Sequence, residues 1–157
     1  MKLGIQIDKE FRKHLDREWL QRVVKQSLTI QDFNSEVELS LVVTGDETVQ
    51  KLNQQYRGID KPTDVLSFAL MERKPGDDTS FIVPPDGVLH LGEVVISYPQ
   101  AARQAEENGL RVEQELALLI VHGVLHLLGY EHDEPDREWE MRALEEKVLS
   151  EVEKWSK

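Results

Sequence analysis

Five histidines occur in the 157-residue chain, and three of them fall within the eleven residues HGVLHLLGYEH as His122, His126 and His132. Imidazole nitrogen is a common ligand for zinc and related ions, so a cluster of three points to metal chemistry. His122 and His126 stand four apart in a segment whose apolar pattern predicts a helix. That spacing sets them about 40° apart around the axis, and both rings can reach one ion from the same face. Gly129 is placed to stop the helix, after which the chain can turn back and bring in His132 as a third nitrogen. Three histidines leave the fourth position of a tetrahedral zinc to water, the layout of a catalytic site rather than a structural one. The competing account is that each is an ordinary hydrogen-bonded histidine in or near the core. Two imidazoles side by side on an otherwise apolar helix count against it, since each buried unsatisfied group costs about 1–3 kcal/mol. His14 and His90 lie outside the pattern and are read as structural.

The spacing also fits the zinc-protease pattern H-E-x-x-H-x-x-G-x-x-H, with Gly129 at its glycine but Gly123 where the pattern needs glutamate. The missing carboxylate is the general base of peptide hydrolysis, so the usual protease route is disfavoured while the metal cage is kept. Met141 could be compared with the protease Met-turn, but a methionine on the apolar face of a helix is more often core. The chain has no cysteine, which leaves His, Asp, Glu or backbone groups as the ligands for any metal.

These residues need a scaffold, and its elements can be read from periodicity. Strands are expected at Met1–Asp8, Val37–Val43, Val65–Leu70 and Val88–Ser97, each by alternation or a β-branched run. An amphipathic helix is expected from His14 to about Leu28, a second from Asp46, read as its cap, through Leu52 and Tyr56, and a third from Tyr98-Pro99 to Asn108-Gly109. Val112–Leu128 is apolar on nearly every side, the mark of a central buried helix. A last amphipathic helix, from about Pro135 to Trp155, carries Trp139, Leu144, Val148, Val152 and much of the acid. Glu72–Gly87, rich in proline, glycine and polar residues, is expected to be an exposed excursion. At 18.1 kDa and 39% hydrophobic residues, the chain suits one domain over residues 1–157.

The balance of 19 Lys+Arg against 30 Asp+Glu, a net −11, repels phosphate backbones and acidic membranes alike. The excess is uneven, because Glu131–Lys157 holds ten acids against five bases. A local basic cleft is therefore compatible with the total. Neither a signal peptide nor a membrane span is read in the sequence, and a cytoplasmic location is expected.

Three blocks together resemble one known family. HGVLHLLGYEH looks like the H-G-x-L-H-L-x-G-Y-D-H signature of the YbeY endoribonucleases. Leu52–Phe68 (LNQQYRGIDKPTDVLSF) resembles that family's L-N-x-x-Y-R-x-x-D-x-x-T-D-V-L-S-F block, and Leu91–Ser97 (LGEVVIS) its L-G-D-I-V-I-S block. They come in family order and cover about Leu39 to Asp133. Glu131 and Glu93 each replace an aspartate of the pattern, keeping the charge on a longer arm. The resemblance implies a single α+β domain with a small mixed sheet, to which the periodicity assigns four strands and about five helices, one of them central and buried. It implies one zinc ion held by His122, His126 and His132, and single-stranded RNA near the 3′ end of small-subunit rRNA as substrate, with rRNA and the small ribosomal subunit as partners. It also points to Arg57 as the functional cation, where the residues alone rate that role even with a loop-anchoring salt bridge to Asp60 or Asp64. Arg57 and Lys61, with Arg73 and Lys74 beyond the third strand, could line one positive groove. Thr63, Asp64 and Ser67 are expected to make local hydrogen bonds, and Glu93 and Glu131 either support the histidines or are solvated. Two other functions compete: a metallohydrolase of another substrate such as peptide, and a ribosome-assembly binding factor with a structural zinc.

Overall fold

The computed structural model describes residues 1–33, 36–70, 87–131 and 133–156. The expected excursion, apart from Gly87, lies outside the described residues, as do His132, Arg73 and Lys74. Four strands form one mixed sheet in the order β1-β2-β4-β3: β1 (Lys2–Ile7), β2 (Glu36–Thr44), β3 (Val65–Ala69) and β4 (Val88–Ser97). The pairs β1–β2 and β2–β4 are parallel, and β3 runs antiparallel to β4 at the sheet edge. Parallel neighbours need a crossover, which a helix supplies most compactly. The α-helices are α1 (Arg17–Leu28), α2 (Asp46–Arg57), α3 (Tyr98–Glu107), α4 (Val112–Leu127) and α5 (Pro135–Glu153), with short 3-10 helices at Lys9–His14 and Lys154–Ser156.

Strand alternation divides the core between the two faces of the sheet. Leu39, Leu41, Val43, Val94 and Ile96 face the layer built by α1, α4 and α5, with Leu116, Ile120, Val124 and Leu125 of α4 fully buried against them. Leu66 and Val95 face the other way and pack on Val49 of α2. α2 and α4 thus lie on opposite faces, and α4 is the central buried helix expected from its apolar sequence. No helix among the described residues is long and apolar enough to cross a membrane.

Two local expectations need correction, and the buried face of α5 is set by packing. The first helix begins at Arg17 rather than His14, because the Asp16 carboxylate accepts the Glu18 N–H at 3.0 Å and caps it there. Gly45, not Asp46, is the N-cap of α2. Asp46 instead accepts hydrogen bonds from the Ser97 hydroxyl at 2.7 Å and from Arg103 at 2.8 Å, tying α2 to α3. Trp139 is 75% exposed, while Met141, Val148 and Val152 form the buried face of α5. A two-residue step rotates about 200° around a helix, so Trp139 cannot share a face with Met141. Met141 itself is core, 1% exposed, as its sequence position suggested.

Candidate active site

Leu125–Tyr130 closes α4 as the glycine signal predicts. Gly129 takes φ 97°, and the Tyr130 N–H donates to the Leu125 carbonyl at 3.0 Å, so the chain leaves the helix sharply just past His126. His122 and His126 are both half-buried, their ring centroids 4.6 Å apart, with Nε2 of one 3.1 Å from Nε2 of the other. Behind them stand two carboxylates. Glu145 of α5 lies 2.8 Å from Nδ1 of His122, and Glu131 lies 3.5 Å from Nδ1 of His126. A proton on Nδ1 of His122 is held by Glu145, which leaves its Nε2 lone pair directed at the space shared with His126.

This geometry suits a zinc ion. Two nitrogens bound at about 2.0–2.1 Å to a tetrahedral zinc would stand roughly 3.3 Å apart, close to the 3.1 Å between the two Nε2 atoms. Carboxylates behind metal-binding imidazoles fix ring orientation and raise ligand basicity. Among the described residues no third His, Asp or Glu completes a metal-holding group. The expected third ligand, His132, lies outside them.

Gly123 shows why the protease pattern is broken. It is buried where α4 crosses the sheet, and a Cβ built there would lie 2.6 Å from Cγ1 of Val94 and 3.3 Å from the Ser67 hydroxyl. Position 123 therefore faces β3 and β4, with no room for a side chain. The Ser67 hydroxyl donates to the Gly123 carbonyl at 3.1 Å, so its hydrogen bond is tertiary rather than local as expected, and it fastens β3 to the histidine helix. Thr63 and Asp64 behave as read: the Asp64 carboxylate accepts from the Val65 N–H at 2.7 Å and from Thr63 at 3.3 Å.

Arg57 ends α2 on the far face of the sheet, yet it joins His122 and His126 in lining one cleft of about 620 Å³ along the exposed side of β3. Because β3 is the edge strand among the described residues, helices on opposite faces can meet around it. Buried Asn53 donates to the Lys61 carbonyl at 2.9 Å, and Gln104 donates to both Asp64 at 3.2 Å and Glu115 at 2.9 Å. These bonds hold the loop between Arg57 and β3. The salt-bridge alternative for Arg57 does not appear among the described residues: Asp60 accepts from Gln50 at 2.9 Å, Asp64 is engaged as above, and the exposed guanidinium has no ion pair. Lys61 is exposed but does not line the cleft, and Arg73 and Lys74 lie outside the described residues.

Glu93 does not support the histidines. Its neighbour Val94 faces α4, so alternation turns Glu93 to the α2 side. His90 pairs with Glu38 at 2.8 Å and His14 stacks on Tyr98, both away from the cleft. Glu145 escaped the sequence reading because it sits among many acids near the C-terminus. Its signal was positional: it falls four residues after Met141 and three before Val148, an acid on the buried stripe of α5.

Comparison with known proteins agrees with this architecture and extends past the three sequence blocks. Residues 5–153 match the family model described as Endoribonuclease YbeY. An Endoribonuclease YbeY from Dehalococcoides mccartyi (strain CBDB1) is 41% identical over 155 residues, 97% of this chain and 93% of the relative. One from Roseiflexus castenholzii is 46% identical over 148 residues, 94% of this chain and 90% of the relative. The solution structure of TM1509 from Thermotoga maritima superimposes with a TM-score of 0.62 at 29% identity, covering 98% of this chain and 91% of that one.

Proposed function

Because the chain belongs to the Endoribonuclease YbeY family, we propose that its cleft cuts single-stranded RNA near the 3′ end of small-subunit rRNA, in the cytoplasm, during rRNA maturation and ribosome quality control. One observation carries the reading: the imidazoles of His122 and His126 and the guanidinium of Arg57, from helices on opposite faces of the sheet, line the same cleft. His122, His126 and His132 would hold one zinc ion. When bound, it would supply a Lewis acid for a phosphoryl oxygen and lower the pKa of water.

The remaining roles belong to this chain's own side chains. Glu145 and Glu131 hold the Nδ1 side of the two rings, so that both Nε2 atoms face the space where a shared ion would sit. Arg57, exposed and without an ion pair among the described residues, is free to grip a phosphate through two parallel N–H donors. The same donors stabilise the charge that grows on phosphoryl oxygens as the phosphodiester is cut. Peptide hydrolysis is the weaker reading, since position 123 faces Val94 and offers no carboxylate to the cleft. A binding factor with a structural zinc is the other alternative.

The test is cleavage of single-stranded RNA by the purified chain, with and without a chelator, beside a generic peptide. RNA cleavage lost on chelation and regained with zinc, with the peptide intact, is the expected result. Chelator-sensitive peptide turnover would reverse the ranking, and tight RNA binding without any cleavage would favour the binding factor.

A further inference from the structure

Tyr56 precedes Arg57 in the last turn of α2 and is 61% exposed. Among the described residues, Tyr56 and Trp139 are the exposed large aromatics, and of the two only Tyr56 lines the histidine cleft. Its ring meets Phe68 edge-on, with centroids 5.1 Å apart and planes at 60°. Phe68 is itself half-buried on β3 and packs against the cluster of Val49, Leu66 and Val95. The strand can carry it there because Gly92 of β4, at φ 138°, lets the Phe68 carbonyl pass where a Cβ would stand 2.1 Å away. Tyr56 is thus an exposed ring braced on one edge by a half-buried ring that packs on the α2 side of the sheet.

We propose that Tyr56, braced by Phe68, is a stacking platform for one unpaired nucleobase of the RNA whose phosphate Arg57 holds. The proposal rests on RNA being the substrate. An unpaired base has an open π-face whatever its identity, and aromatic side chains are the usual partners of splayed single-stranded bases. Bracing matters because a ring already held in one orientation loses less side-chain freedom when a base lands on it. Charge gives an independent reason. Among the described residues lining the cleft, Arg57 is the one cation, against the carboxylates of Asp64 and Glu131. In a chain of net charge −11, an uncharged stack would add to RNA binding without relying on phosphate attraction. A stack would also favour single strands, since a base stacked within a duplex offers no free face. Tyr56 and Arg57 are adjacent in sequence, as a nucleobase and its own or neighbouring phosphate are adjacent along RNA.

The experiment compares wild type with Tyr56→Ala, Tyr56→Phe and Tyr56→Trp on short single-stranded RNAs, some with an abasic site at one of several positions around the cleaved bond. Tyr56→Ala should raise KM roughly 5- to 150-fold, the range of one lost base–aromatic stack, with kcat changed much less. Phe and Trp should restore KM, because the π-face and not the hydroxyl is used. One abasic position should raise KM in the wild type by as much as Tyr56→Ala does, and have no further effect in that variant. Since Tyr56 is exposed, Tyr56→Phe and Tyr56→Trp should melt with the wild type, and Tyr56→Ala, which loses the edge contact with Phe68, within a few degrees of it. An unchanged KM in Tyr56→Ala, or an abasic penalty that persists undiminished in it at every position, overturns the platform. If the wild type neither binds nor cuts single-stranded RNA, the substrate reading itself fails and takes this proposal with it.

Discussion

Replacing Gly123 by alanine tests how tightly the histidine helix lies on the sheet. In an exposed helix the change would stabilise by about 0.8–1.0 kcal/mol, the difference in helix propensity. Here the new methyl group would stand 2.6 Å from Cγ1 and 3.2 Å from Cγ2 of Val94, against an ordinary carbon–carbon contact of about 3.5–4.0 Å. One side must give by about 1 Å. Val94 is fully buried and β-branched, so it cannot turn aside cheaply. Overpacking of this kind costs about 1–3 kcal/mol, which leaves a net destabilisation of up to about 2 kcal/mol after the propensity gain. For a chain of this size that lowers Tm by up to about 4–8 °C, whereas the propensity gain alone would raise it by about 2–4 °C. Gly123→Glu, which restores the protease carboxylate, should be far worse, since it forces a larger side chain and an unpaired charge between α4 and β4. The assay is thermal or urea denaturation of both variants and wild type in the same metal-free buffer, because bound metal would add its own stabilisation. A Gly123→Ala protein that melts at or above the wild type would refute the close packing, and with it the explanation for the absent glutamate.

Four other outcomes are expected. His126→Ala should lose most bound zinc by elemental analysis, and wild-type affinity should fall in acid as the imidazoles protonate; full occupancy in the variant would break the proposed cage. Glu145→Ala should weaken zinc binding about 10- to 100-fold in a competition titration, the usual cost of removing the partner that orients a ligand imidazole; an unchanged constant would reduce Glu145 to packing. Arg57→Ala should lower RNA cleavage about 100-fold or more, with stability within about 0.5 kcal/mol of wild type and a salt slope shallower by about one unit; undiminished cleavage would hand its role to another residue. Asp46 titrates below the usual carboxylate value: burial raises its pKa, but the Ser97 hydrogen bond and Arg103 outweigh that. A depressed folded pKa contributes stability at pH above the unfolded value and loses it as pH falls through the folded one. The stability difference between wild type and Asp46→Asn should therefore shrink on acidification, and urea titrations that keep a constant gap into strong acid would contradict the assignment.

Local geometry made part of this protein legible without coordinates. His122 and His126 belong to one helix, whose 3.6-residue turn brings positions four apart together, and Gly129 ends it by a backbone preference of its own. The strands of the sheet, the buried helix and the core role of Met141 follow equally from periodicity. Arg57 was singled out by family resemblance, and residues alone left it balanced against a salt bridge. Only the tertiary structure shows Asp60 and Asp64 engaged elsewhere and Arg57 in the histidine cleft. Long-range packing also decided the rest. Glu145 meets His122 across 23 residues of sequence, and Gly123 is required by Val94 on another element. A helix as rich in charge as α5 shows several weak stripes, and contact with α4 selects the one containing Met141 and Val148, leaving Trp139 exposed. Tyr56 is one aromatic in a helical pattern by sequence, and it lines the cleft because β3 is the edge strand among the described residues. Periodicity specifies which residues share a face of one element, but which faces meet depends on how the whole sheet is ordered and covered.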